Sequence, residues 1–129
     1  MATNAGRFNN ITLEAARAVG PFELVTVTAS GAAKAGAAST TVPVVGVAVN
    51  SVDPSATPAT TTLTTQVEGI AMVKAGAGVA KGAVVGSNAS GKAVTAATNN
   101  QFTIGVALEA ASGADEIISV LILPSKFHS

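Results

Sequence analysis

Hydrophobic residues recur at every second position in several short runs of the chain, and each run is closed by Gly, Pro, Asn or Asp. Val45, Val47 and Val49 alternate with Gly46 and Ala48, while Ile104, Val106 and Leu108 alternate with Gly105 and Ala107. Successive side chains on a strand point to opposite faces, so both runs predict strands that turn their large residues toward a core. A glycine inside a strand weakens it, and one at the same register in both runs predicts close approach of another backbone. Further strands are predicted over residues 22–28, 61–73, 83–87 and 116–123. The last is apolar on both faces apart from Ser119, which predicts a strand covered on both sides. Turn signals at Gly36, Pro43, Asp53-Pro54, Pro58, Gly76, Asn99-Asn100 and Ser112-Gly113 separate these runs. Many short strands punctuated in this way predict an all-β fold, a small β barrel or sandwich.

The pattern is duplicated. Leu24-Val25, Ser30-Gly31 and the run at 45–49 return as Val84-Val85, Ser90-Gly91 and the run at 104–108, offset by 60 residues for the first two blocks and 59 for the third. Self-similarity of this kind predicts one repeated strand unit, about residues 22–66 and 82–123, within a β domain at 21–123. Residues 1–20 lack that period and are expected to form an extended N-terminal arm. A short helix is expected at 13–18, where Leu, Glu, Ala and Arg have good helix propensity. Residues 124–129 are expected to be an exposed tail.

Composition narrows the function. Hydrophobic residues make up 48% of the 129, mostly Ala and Val, with four Phe and no Tyr or Trp. A core of small side chains gains less per residue, so further burial against a partner or another copy would help this chain. Only 11% of residues are charged, with seven basic residues balancing seven acidic ones. The cations are scattered and no Tyr or Trp is interleaved with them for stacking bases, which argues against nucleic acid as a partner. No run approaches the ~18 uninterrupted apolar residues of a membrane span. The first residues lack a basic stretch followed by an apolar one, so the expectation is a soluble protein made in the cytoplasm.

Candidate chemistry is sparse. The chain has no Cys, which removes disulfides, thiolate metal sites and Cys nucleophiles. His128 stands one residue from the end, without the fixed orientation that a general base needs. The carboxylates show no pairing and no oxygen-rich calcium loop, so no catalytic, cofactor-binding or metal-ligating residue is assigned. The run from Gly76 to Gly82 matches neither phosphate-loop spacing, because Lys81 stands where a glycine is required. Ala71-Met72-Val73-Lys74 resembles the modified-lysine segment of biotinyl and lipoyl carrier domains. Here, however, Val73 takes the modified position, and a slip of one residue turns Lys74 to the other face.

One family resemblance covers most of the chain. Val67-Glu68-Gly69-Ile70, Gly82 before Val84-Val85, Gly91-Lys92 before Val94, the run Ile104-Gly105-Val106-Ala107-Leu108-Glu109-Ala110-Ala111, and a closing Val-Leu strand resemble the capsid cement (head decoration) proteins of tailed bacteriophages. Such elements are short, and their order and spacing carry the likeness. The resemblance implies a non-enzymatic β-barrel protein on the outer surface of a virion. There it would bridge major capsid protein subunits, as a homotrimer and without a cofactor. Interface candidates are Arg7 and Phe8 on the arm, Thr61 and Thr62 on a Thr-rich edge, and Ile118, Val120 and Ile122 on the last strand. A tail or receptor-binding module is the alternative, with the carrier domain behind it.

Overall fold

The computed structural model describes residues 9–36 and 41–126. Ten strands run in sequence: β1 (Asn10–Glu14), β2 (Leu24–Thr28), β3 (Gly31–Lys34), β4 (Gly46–Ala48), β5 (Thr62–Gln66), β6 (Ile70–Lys74), β7 (Val84–Ser87), β8 (Ala93–Thr95), β9 (Phe102–Ala107) and β10 (Ile117–Lys126). They build two five-stranded antiparallel sheets, ordered β1-β5-β4-β2-β3 and β6-β10-β9-β7-β8. The second order is the first with every strand advanced by five, so the duplication predicted from the sequence is a duplication of topology. In each sheet the first and third strands meet through a single parallel bridge, Ala15 to Ala32 and Ala75 to Ala93, which curls the sheet toward a closed barrel. The molecule is two such lobes packed together.

The strand register pairs equivalent positions in the two lobes. Val25 faces Gly46 as Val85 faces Gly105, and Leu63 faces Leu13 as Ile118 faces Val73. Lobe one encloses Ala15, Val19, Val25, Ala32, Ala48, Val52 and Leu63. Their counterparts Ala75, Val79, Val85, Ala93, Ala107, Ala111 and Ile118 are enclosed in lobe two. So many alanines follow from geometry, because a barrel of five strands has little interior to fill.

Several expectations change at this level. The repeat is longer than its sequence signal and takes in β1 and β6. Residues 10–14 therefore belong to the first sheet, with Ala15 and Val19 in isolated bridges beyond it, and residues 1–8, with Arg7 and Phe8, lie outside the described residues. No helix forms among the described residues. Where one was expected at 13–18, Leu13 pairs with Leu63 and the Ala15 N–H donates to the Thr61 carbonyl at 2.8 Å. Tertiary pairing overrides a propensity worth only tenths of a kcal/mol per residue. The single strand expected at 61–73 is two, one in each lobe, parted by Val67, Glu68 and Gly69, with Gly69 at φ 89. The expected tail begins too early, because β10 passes through a bulge at Pro124 and pairs again, Ser125 with Thr103. β6 no longer flanks β10 there, so a residue without an N–H is tolerated.

The alternation around the strand glycines also slips. Val45 and Ile104 pack inward before the glycine, but beyond it Ala48 and Ala107 face the interior. Val47 and Val106 are turned out of their own barrels. In lobe one that outward face is covered by lobe two: Leu24 and Val47 join the core cluster of lobe two at 0% and 2% exposure. Burying two such side chains stabilises the contact by roughly 1.5–3 kcal/mol each. Two backbone hydrogen bonds cross the same contact, Leu24 N–H to Gly91 O at 2.7 Å and Lys74 N–H to Phe22 O at 2.9 Å.

Candidate interaction surfaces

The strand-edge candidates fall on two different kinds of surface. Thr62 is exposed at the start of β5 and Thr61 is half-buried beside it. Leu63 and Thr65 turn inward from the same strand, so Thr62, Thr64 and Gln66 form its outer face. Ile118, Val120 and Ile122 do not face outward. At 2%, 0% and 6% exposure they fill the interior of lobe two, and what β10 offers a partner is its other face, Ile117, Leu121 and Leu123. The reading of β10 as covered on both sides changes with them: this single chain covers one side only.

That other face continues across the sheet. Leu121 pairs with Ile70 on one side and Val106 on the other, and Val106 pairs in turn with Val84. Ile70, Met72, Val84, Leu108 and Leu123 are all exposed, Ile70 and Leu123 by 59% and 54%. Scattered exposed apolar residues are ordinary, but a contiguous band of them on one sheet marks an interaction surface. The corresponding band of lobe one carries Thr12, Thr62, Thr64 and Gln66 along β1 and β5, and is polar. The sequence pattern found the apolar character of β10 and assigned it to the wrong face.

At the contact between lobes lies a small cavity of about 130 Å³, lined by Phe22, Val47, Ala48, Val49, Gln66 and Met72. Phe22 holds φ 68, a left-handed conformation that disfavours a bulky side chain, and its counterpart Gly82 holds φ 88. The conformation is thus common to both lobes, and Phe22 keeps a ring there that lines the cavity between them. A second, wider depression of about 320 Å³ is lined by Ala16, Arg17, Ala18, Asp53, Pro54 and Ser55.

The charged groups serve loops. Asp53 accepts hydrogen bonds from the Ser55 hydroxyl at 2.7 Å and the Ser55 N–H at 3.0 Å, which hold its carboxyl below the usual range. Asp115 accepts from Lys92 at 2.6 Å, and that bond together with the lysine's charge lowers its pKa. Glu116 is lowered by the Ser112 hydroxyl and backbone N–H. Glu109, within the motif that carries the family resemblance, accepts from the Ser119 N–H at 2.8 Å and the Ser119 hydroxyl at 3.0 Å. Its counterpart Asn50 accepts from the Thr64 N–H at 2.8 Å, so both lobes fasten the last strand with one side chain.

Among the described residues no group of three His, Asp or Glu side chains could hold a metal ion. Lys74 ends β6 opposite Ile117, and Val73, at the position a carrier domain would modify, is fully buried. A lysine on a paired strand is not at the tip of a turn. His128 lies outside the described residues.

A family model described as phage cement protein matches residues 10–122, from the first strand of lobe one into the last strand of lobe two. No curated protein and no solved structure matches the chain.

Proposed function

The chain belongs to the phage cement protein family, a family with a structural role in the capsid, and on that premise we propose that it binds the outer surface of a phage head and bridges neighbouring major capsid protein subunits. The observation that carries this reading is the match over both lobes, because it makes the two-lobed unit the thing the family is built from. Bridging needs two or more separate contact surfaces on one rigid body, each modest and together strong. Two lobes with unlike outer faces, one apolar along β10 and one Thr-rich along β5, supply them. On this reading the protein is made in the host cytoplasm and joins the virion as a homotrimer. Arg7 and Phe8 anchor the arm, Thr61 and Thr62 lie at a polar contact, and no cofactor or catalysis is involved.

The test uses heads assembled without this protein. Adding it should give regular density on the outer surface by electron cryomicroscopy and raise the temperature at which the heads rupture. A chain lacking residues 1–8 should melt at the same temperature as the full chain yet bind the heads more weakly. No added density at saturating protein would refute the reading. Density with unchanged rupture temperature would refute the bridging role.

A further inference from the structure

Lobe one buries against lobe two a face whose counterpart on lobe two is left bare. In lobe one the face is Leu24 and Val47. Its counterpart is Val84, 37% exposed, and the half-buried Val106. The surface of lobe two that receives lobe one is made by Lys74 and the Ser90-Gly91 turn. Gly91, at φ 77, packs so close beneath lobe one that a Cβ there would meet the Lys34 Cβ at 3.1 Å. Its counterpart on lobe one, made by Glu14 and the Ser30-Gly31 turn beside Val27, is open: Glu14, Ser30 and Val27 are exposed, Val27 by 48%.

Each chain therefore contains one completed contact and the two unmatched halves of a second. We infer that a second copy of this chain completes it head to tail, the Val84–Val106 face of lobe two docking on the Glu14–Val27–Gly31 surface of the next copy's lobe one. One of the same backbone bonds is available to it: Glu14 N–H with Gly82 O would stand for Lys74 N–H with Phe22 O. The turn of lobe one is a residue shorter, Gly31 pairing with Thr28 where Lys92 bonds Asn88, and Gly31 O already accepts from the Thr28 hydroxyl at 2.9 Å. Where lobe one has Gln66 beside its docking face, lobe two has Leu121, and where lobe two has Ser87 beside its receiving turn, lobe one has Val27. Both exchanges make the contact between chains more apolar than the one within the chain. A contact between unlike surfaces closes into a ring or runs on as a filament. The docking mode stands on the two lobes alone; only the count of three copies rests on the capsid reading above.

Two substitutions on opposite surfaces test it. Val84→Glu disables docking and leaves the receiving surface intact, and Val27→Glu does the reverse. Both side chains are exposed in the single chain, so both variants should melt as the wild-type monomer does. At millimolar protein the wild type is expected to sediment as an assembly of several chains and each variant as a monomer. An equimolar mixture of the two variants should form dimers and nothing larger, because one competent pair of surfaces remains. If either variant alone assembles like wild type, the bare faces meet face to face or not at all, and the inference fails. It also fails if the wild type stays monomeric at millimolar concentration. Failure to bind heads would remove the capsid reading and leave these outcomes unchanged.

Discussion

A side chain at Gly105 would fall directly on the carbonyl oxygen of Leu121, the residue on β10 diagonal to it across the sheet. Gly46 stands in the same relation to the carbonyl of Gln66 in lobe one. The obstacle in each case is backbone within a sheet, which cannot rotate away as a side chain would. Gly105→Val should therefore cost about 3 kcal/mol, at the upper end of overpacking penalties, and Gly105→Ala a large part of that. Urea denaturation should show a lowered midpoint for both. Lys74→Ala, on a strand flank, should leave the midpoint within ~0.5 kcal/mol of wild type. A wild-type midpoint for Gly105→Val would mean that the strands are not packed as described.

Thr65 and Thr103 each bury a hydroxyl that has no hydrogen-bond partner among the described residues. Their counterparts in the other lobe are Val120 and Val44, which place a methyl group in the same setting. Thr65→Val and Thr103→Val should each stabilise the protein by ~1 kcal/mol, since an unpaired polar group is exchanged for an isosteric apolar one. Differential scanning calorimetry would record the gain as a raised melting temperature. A lowered one would mean that the hydroxyls are bonded in solution.

Removing the fastening of the last strand should loosen lobe two selectively. Glu109→Ala deletes the carboxylate oxygen that accepts from both the Ser119 N–H and its hydroxyl, at a cost of about 1 kcal/mol. Hydrogen exchange should quicken at the Ser119 amide while the amides of β5 keep their protection. The reciprocal variant, Asn50→Ala, should expose the Thr64 amide and spare β10.

Acid should weaken the loops before the barrels. Asp53, Asp115 and Glu116 all have folded-state pKa values below their ordinary 3.8 and 4.5, the last through its bonds to Ser112. The folded protein thus binds fewer protons than the unfolded chain in that range, and stability is lost as pH falls through the folded values. A stability profile should stay flat from neutrality to about pH 5 and decline below it. Replacing Lys92 with Met should shallow the decline, because the bond and the charge that lower Asp115 go with it.

The sequence disclosed what repeats with strong period and hid what is carried by small residues. β4, β9 and the Ser-Gly turns were legible because large residues and glycines recur at matched positions. β1, β3 and β8 were not, because Asn10, Thr12, Ala32 and Ala93 carry little hydrophobic contrast, and the pairing that makes them strands comes from elsewhere in the chain. The break between β5 and β6 is marked only by Glu68-Gly69, a weak signal within a long run of β-formers. For the interaction surface, the sequence showed that β10 is apolar on both faces but not which face the barrel would take. Comparison of the two copies supplies that signal: Ile118 corresponds to Leu63 and Val120 to Thr65, both turned inward, so the outward partners of β10 follow from the register.

The join between the lobes has a mechanical meaning. Only Val67, Glu68 and Gly69 separate β5 from β6, and the Gln66 side chain ties across them to the carbonyls of Glu68 at 3.0 Å and Ile70 at 2.9 Å. Val67 is held to Asn9 and Gly69 to Ile122, each by a backbone bond. Tension applied at one lobe reaches the other through several bonds loaded together, with no slack chain to pay out first. A strap with a soft joint stretches before it resists. A joint without slack would pass load between the lobes at once, the behaviour that the proposed bridging of a capsid calls for.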